Sequence, residues 1–464
     1  MRAVRFVVTH AAGGLLAGLA FFAVLAALGA RLHFLHDEGI FTFDMAAAMP
    51  WAVLPTLFLL KAKALLVLVY ALPARAGVAG YLIAHAAVGA GAILLVVAAA
   101  RRLGLASPNL AGWMLATSLG FFVAVGSGFA AADGAFFLAL FLWLYAAERR
   151  VWAALVLGAL PFVRLELAFS ATIFLGFDLR RRRDPRFALL VLAFPLAYLG
   201  AGAVYHGDPL WPLHTFPNAT QPAPLQRYAT PGLWELGRFV LTSLLVNASA
   251  LGVLGFMGWD RRDRRLVPVF AAAAGTFLLL IVIAGADRFG VDRSLRYHVA
   301  PLPLLALLAA SWRGRAGAGA LLVAAQGVAL AMALLVTDFG REQHLRDHRL
   351  MAAVRATPLW HGQPIYTDLQ IARFDRCAGV DAWMVANETI VEELGGLIAR
   401  NEAQRGALAA ALARQRFLLT PGPPRRDVLY LLDGSERGRA ARAPVEALHP
   451  TAVPIDRWRL YGWE

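Results

Sequence analysis

Apolar runs long enough to cross a bilayer recur along this chain from residue 6 to about 338, and short clusters of arginine interrupt them. A hydrocarbon core of roughly 30 Å takes about 20 residues of helix, and a backbone facing lipid must satisfy its own hydrogen bonds, so each run is predicted to be helical. The expected fold class is an all-α polytopic membrane protein. The runs fall at about 7–30, 78–100, 108–127, 131–147, 151–163, 167–178, 187–204, 237–257, 266–285, 298–311 and 317–337, about 11 transmembrane helices.

The polar positions orient these runs. Arginines gather at Arg2 and Arg5, Arg101 and Arg102, Arg149 and Arg150, Arg180 to Arg183, Arg261 to Arg265 around Asp263, and Arg313 with Arg315. A net charge of +14 in a soluble chain would point to nucleic acid, but arginines placed between apolar runs are cytoplasmic anchors. Holding all six clusters in the cytoplasm puts the N-terminus inside and the tail outside, in the periplasm of a cell with an inner membrane. The segment "LPTLFLLKAKALLVLVYALP" then cannot cross, because a crossing would push Arg101 and Arg102 outside. It is expected to lie at the interface or re-enter. The same parity demands two short helices between Arg149 and Arg180, meeting at Pro161, with Arg164 and Glu166 at an outer turn. The first run, of roughly 24 residues, is too long for the apolar part of a typical signal peptide and is expected to be a retained helix.

From residue 339 the charge rises and the apolar runs shorten. Strand-like pieces "QPIYTD", "RFLLT" and "VLYLL" alternate with a helical stretch at 386–416, and "PGPP" and "LDGSERG" mark turns. The expected organisation is a transmembrane module at 1–338 and a small periplasmic α/β domain at 339–464. The single cysteine, Cys377, allows neither an internal disulfide nor a cysteine metal cluster.

Candidate chemistry collects on the outer side. His36, Asp37 and Glu38 stand together in "RLHFLHDEGIFTFD", directly after the first apolar run. The same topology places there Asp133 in "FAAADGAFF", Arg164 and Glu166 in "PFVRLELAF", Asp208 in "YHGDPLWPLHTFPN", and Arg293, Arg296 and His298 in "GADRFGVDRSLRYHVAP". Ionisable groups at the membrane edge cost free energy and so mark function. A carboxylate serves as base for a hydroxyl and guanidiniums neutralise phosphate, a mixture suited to transfer onto an alcohol from a phosphate leaving group.

These stretches resemble the GT-C superfamily of membrane glycosyltransferases, which includes protein O-mannosyltransferases, lipid A aminoarabinose transferases and arabinofuranosyltransferases. "HDEGIFTFD" resembles the acidic first-loop motif, "AADGAFFLALFLWLYA" the outer-end aspartate before an apolar helix, and "FVRLELAF" an Arg-x-Glu turn. "YHGDPLWPLHTF" resembles a Gly-Asp-Pro-Leu-x-Pro loop and "RYHVAPLPLLALLAA" the start of a late helix. Leu165 stands where many relatives have proline, and the lysine-proline-proline segment of the aminoarabinose branch is absent, so the branch and the sugar stay open. The resemblance implies transfer of a sugar from a polyprenyl-phosphate carrier to a glycan, lipid or protein acceptor, with Asp37 as general base and Glu38 in support. Asp133 and Glu166 would then hold sugar hydroxyls.

Only two of the 44 basic residues are lysines, Lys61 and Lys63, and both lie in the interfacial segment. They either anchor to lipid headgroups or, with Arg293 or Arg296, contact the carrier phosphate. The outer histidines His36, His206, His214 and His298 show no ligand spacing, so no metal or other cofactor is expected. An O-antigen polymerase or ligase and a polyprenyl-linked sugar transporter are the alternatives. A transporter needs charges within its spans, and these read as nearly charge-free.

Overall fold

The computed structural model describes residues 12–32, 39, 42, 43, 45, 46, 49, 53–58, 63–212, 250–285, 298–314, 316–337, 349, 350, 352–361, 365–367, 426, 427, 429–432, 442–455 and 458–463. Fourteen helices are described: α1 Gly13–Leu32, α2 Val53–Leu57, α3 Ala64–Tyr70, α4 Gly77–Arg102, α5 Pro108–Ala116, α6 Leu119–Gly126, α7 Ala130–Ala146, α8 Arg150–Val163, α9 Leu167–Arg182, α10 Pro185–His206, α11 Ala250–Met257, α12 Val267–Gly285, α13 Leu302–Ala309 and α14 Ala316–Thr337. Four strands follow: β1 Ile365–Thr367, β2 Leu429–Leu432, β3 Thr451–Ile455 and β4 Trp458–Gly462.

Among the described residues, α1, α4, α10 and α14 are each long and apolar enough to cross a membrane, and α5 with α6, bent by 60° from one another, pass the same test only as a pair, in the form of a broken span or a re-entrant loop. Shorter apolar helices lie at Ala130–Ala146, Arg150–Val163 and Val267–Leu280. The bend after α5 has a local cause. The Thr117 hydroxyl donates to the Trp113 carbonyl at 2.8 Å, Ser118 is extended, and the Gln326 amide of α14 donates to the Met114 carbonyl at 2.7 Å. The Gln326 amide takes the carbonyl that the Ser118 N–H would use in a continuous helix, that N–H turns to the Leu115 carbonyl at 3.2 Å, and the Thr117 hydroxyl adds a second bond to the Trp113 carbonyl. The stretch expected at the interface is broken between the five-residue α2 and the seven-residue α3, each far too short to span.

The chain divides into two compact units. The first holds residues 1–28, 63–66 and 82–339, and the second holds 29–62, 67–81 and 340–464. In the first, α8 packs against α7 and α10, α9 against α12, and α13 against α11, α12 and α5. The core between them is aliphatic and aromatic, with Phe141 edge-on to Phe174 at 4.8 Å and Phe21 stacked on Phe121 at 5.4 Å. Gly158 brings α8 onto α10, because a Cβ there would run into the backbone carbonyl of Val191.

Polar contacts gather the described basic clusters into two groups. Arg101 donates to the Asn109 side-chain oxygen at 2.9 Å, and that oxygen also accepts the Gly14 amide at 3.1 Å. Ser107 reaches the Ala310 and Trp312 carbonyls, Ser311 accepts the Asp260 amide at 3.0 Å, and Arg313 pairs with Asp260 at 3.1 Å. The start of α1, the end of α4 and the loops at 258–266 and 310–314 therefore share one face. In that loop Arg265 hydrogen-bonds Asp263 and holds its carboxyl below the usual range. Arg150 pairs at 2.8 Å with both Asp178 and Asp184, joining the start of α8 to the end of α9 and the start of α10. Asp184 also caps α10 by accepting the Arg186 amide.

The two short helices at 150–182 do not meet at Pro161. That proline lies inside α8, which runs on to Val163, and the turn is Arg164–Glu166. A proline in a membrane helix costs one backbone bond, and packing by neighbouring helices offsets the loss.

In the second unit the strand order is β1-β2-β4-β3, with β1 parallel to β2 and the other pairs antiparallel. Side chains of β2 alternate as a pleated strand requires. Leu429 and Leu431 join Leu350, Val354 and Leu359 on one face, while Tyr430 and Leu432 join Val445 and Tyr461 on the other. Two of the expected strands are present as β1 and β2, whereas "RFLLT", the helical stretch 386–416 and Cys377 lie outside the described residues. The β3–β4 hairpin was not anticipated, and its Pro454 sits on an edge strand, where a missing N–H is tolerated.

Candidate functional site

The site is built at the N-terminus of α7. Gly128, with φ 74°, turns the chain out of α6, Phe129 is extended, and α7 starts at Ala130 with Asp133 in its first turn. Asp133 is 1% exposed, and its Oδ2 lies 3.1 Å from Nε2 of His85 on α4, which is fully buried. The other imidazole nitrogen, Nδ1, is 2.9 Å from the Val125 carbonyl oxygen at the end of α6. The pair thus joins α4, α6 and α7.

Gly134 is the next residue, and its missing side chain makes room for a neighbour. A Cβ there would stand 2.7 Å from Cγ of Arg164 and 3.1 Å from Cβ of Ala300. The Arg164 stem and the segment ahead of α13 therefore both rest against the first turn of α7. Arg164 Nε donates to Glu166 Oε1 at 2.7 Å, and both side chains are nearly buried. His298, two residues before Ala300, is buried with its ring 5.5 Å from Phe277. Asp133, Arg164, Glu166 and His298, which come from three sequence stretches up to 165 positions apart, are gathered at one end of the bundle, opposite the Arg150 network at the other end of α8.

Asp208 closes α10. Its Oδ1 accepts the Leu210 amide at 2.8 Å, a turn that carries Trp211 back onto the helix, where its indole donates to the Leu199 carbonyl at 3.1 Å. His206 stacks on the same indole at 4.8 Å. This gives Asp208 a turn-forming role in the sense of an Asx turn. Lys63 opens α3 with a left-handed backbone, φ 57°. His36, Asp37, Glu38, Lys61, Arg293 and Arg296 lie outside the described residues. Residues after the acidic pair are packed. Thr42, Phe43, Met45 and Ala46 are buried, and Phe43 meets Tyr81 edge-on at 5.7 Å, with Tyr70 against the same ring at 4.7 Å. Among the described residues no group of three His, Cys, Asp or Glu side chains lies together to hold a metal.

His85 is the residue that sequence reasoning passed over. Its signal was present: a histidine inside an apolar run of membrane-spanning length has to find a polar partner. The partner is 48 positions away, beyond a broken span, so no local motif announced it. The spans are correspondingly less free of charge-bearing groups than the sequence suggested.

No family model matches the chain, and no curated protein matches it. Its architecture does have a counterpart among solved structures. The crystal structure of ArnT from Cupriavidus metallidurans bound to undecaprenyl phosphate aligns with a TM-score of 0.60 over 97% of this chain and 98% of that one, at 14% identity. At that identity the likeness speaks for fold, and it extends over both units. The chain shares the fold of ArnT and carries helices long and apolar enough to cross a membrane.

Proposed function

We propose that this protein is a membrane glycosyltransferase that moves a sugar from a polyprenyl-phosphate-linked donor to a hydroxyl on a glycan, lipid or protein acceptor at the outer face of the inner membrane. The observation that carries the reading is the fold shared over nearly its whole length with ArnT, a protein bound in its crystal structure to undecaprenyl phosphate. The gathering of Asp133, Arg164 and Glu166 at one end of the bundle supports it. In this reading residues 1–338 form the transferase module and 339–464 a periplasmic domain.

The chemistry follows from the groups. The acceptor oxygen attacks the anomeric carbon, the bond from that carbon to the phosphate oxygen breaks, and polyprenyl phosphate leaves as an anion. Asp37 takes the hydroxyl proton as the nucleophile attacks, and Glu38 positions the acceptor, with His36 orienting the two carboxylates. One displacement inverts the anomeric carbon. Lys61 or Lys63, with Arg293 or Arg296, neutralises the departing phosphate. Glu166 and Asp133 serve the sugar end, and His298 and Asp208 complete the lining of the site.

Asp37→Asn preserves shape but cannot accept the proton, so transfer with purified lipid-linked donor should fall by about 100-fold or more while donor binding persists. Glu38→Gln should cost less. Near wild-type turnover in the double variant refutes the assignment, and release of intact donor on the far side of a vesicle, without cleavage of the sugar–phosphate bond, supports transport instead.

A further inference from the structure

Seven arginines gather where α8, α9 and α10 meet at one end of the bundle: Arg149 and Arg150, Arg180 to Arg183, and Arg186. Three carboxylates stand among them, Glu148, Asp178 and Asp184. Arg150 takes both aspartates, each at 2.8 Å, and lies over the Phe187 ring, while Arg182 stands 3.7 Å from Asp178. Asp184 gives its other oxygen to the Arg186 amide. Among the described residues no carboxylate pairs with the side chains of Arg180, Arg183 or Arg186, and all three are exposed. The aspartates that would neutralise this corner are thus held by Arg150, and the remaining excess of positive charge attracts anions.

An apolar face begins directly below these arginines. Arg186 heads a stripe of α10 in which Leu189, Ala193, Leu196 and Gly200 follow at spacings of three and four, all exposed, the two leucines at 67% and 66%. α8 and α10 run side by side, since Arg150 meets Asp184 at their starts and Phe162 meets Tyr198 at 5.0 Å further along. Trp152, also exposed, therefore stands level with the first turn of α10, and an indole there suits the depth of lipid headgroups. A cationic rim over an apolar stripe matches a molecule with a phosphate head and acyl tails, whereas a nucleic acid or an acidic protein has no use for the leucines. We propose that this corner binds an acidic phospholipid of the surrounding bilayer, with its phosphate against Arg180, Arg183 and Arg186 and an acyl chain along the stripe from Leu189 to Leu196. The inference needs a membrane around α10 and does not depend on the glycosyltransferase reading.

The loop before α12 supplies a matched control. Arg261, Arg262 and Arg264 are exposed there too, but α12 exposes no residue ahead of Leu278. The full chain, stripped of lipid in dodecyl maltoside, is titrated with dioleoyl phosphatidylglycerol and followed by native mass spectrometry. The tightest-bound lipid should be held far more firmly than dioleoyl phosphatidylcholine, and less firmly as salt rises. Each arginine at a membrane surface changes the affinity for an acidic lipid by about fivefold, so Arg180→Gln, Arg183→Gln and Arg186→Gln together should weaken binding by about 100-fold. Arg261→Gln, Arg262→Gln and Arg264→Gln together should leave it unchanged. None of the first three side chains makes an ion pair, so that variant should unfold at the wild-type temperature when no lipid is present. If it unfolds lower, Arg186→Gln alone, with an expected loss of about fivefold, decides the matter. Equal losses in the two triple variants would reduce the site to a general attraction of cations for an acidic surface and overturn the inference. Unchanged binding in the first variant, or equal binding of phosphatidylcholine, overturns it as well. Displacement of the lipid by an equal concentration of inorganic phosphate would make this a site for a free anion and overturn it too.

Discussion

Lys63 has a backbone that a residue with a Cβ seldom adopts, φ 57°, at a cost of about 1–2 kcal/mol. A glycine would fit that conformation freely, and Glu148 and Arg183 adopt the same conformation at φ 57° and 52°. Lys63→Gly removes the ammonium and relieves the backbone together. In the presence of Lys61→Ala it should weaken donor use several-fold while thermal stability holds or rises by about 1 kcal/mol. The two lysines replaced by arginine should be milder, though not neutral, because an ammonium and a guanidinium differ in shape and hydration. Unchanged KM for the donor in the glycine–alanine variant returns both residues to headgroup anchoring. At this scale the sequence was legible wherever a charge interrupted the edge of an apolar run, as at Asp133 and at Arg164 with Glu166. Asp208 was visible for the same reason, and what the sequence did not show is that it also folds the turn after α10. His85 was not legible, since one histidine among alanines carries no pattern and its partner is set by helix packing.

Helix boundaries were the most readable feature, because membrane-spanning runs are bounded by charge at both ends. The runs expected at 78–100, 131–147, 151–163, 187–204 and 317–337 are helices at 77–102, 130–146, 150–163, 185–206 and 316–337. What hydropathy does not record is how a helix bends or how closely two approach. The run expected at 108–127 is two helices at 60°, broken where Thr117 and Gln326 capture carbonyls. The approach of α8 to α10 depends on Gly158. Gly158→Leu puts a side chain where the Val191 carbonyl lies, forces the helices apart and should cost about 1–3 kcal/mol. Thermal unfolding of purified protein in detergent measures that. Gly176→Leu, on α9 with open space around its Cβ position, is the matched control and should be close to neutral. Equal losses at both positions reject the close-approach argument. In the second unit the β3–β4 hairpin escaped notice because Pro454 interrupts β3 and its exposed edge position weakens the alternation that β2 displays.

Across the whole molecule, orientation follows from which loops share a face. Contacts join the start of α1, Arg101, the loop around Asp260 and Arg313, so three of the six clusters that the positive-inside rule assigns to the cytoplasm share one face. Asp133 and Arg164 lie at the ends of α7 and α8 remote from the Arg150 pairs. With Cys377 replaced by serine, two single cysteines test the arrangement: Arg262→Cys in the exposed loop before α12, and Ala447→Cys on the exposed turn before β3. On intact spheroplasts a membrane-impermeant maleimide should label position 447 and leave 262 unlabelled until the membrane is permeabilised. The reverse pattern would invert the protein, carry Asp133, Arg164 and Glu166 to the cytoplasmic face, and require a donor and acceptor on that side. Labelling of both positions in intact cells would mean an odd–even error in the crossings between them, at α12, α13 or α14, whereas an error at the pair α8–α9 would move both positions together. Each of its helices is shorter than a full crossing, and the Arg150 pairs with Asp178 and Asp184 are what hold the start of α8 and the end of α9 on one face. Arg150→Ala should therefore loosen α8, α9 and α10 together, and a reversal of labelling at both 262 and 447 in that background would trace the parity to this one guanidinium.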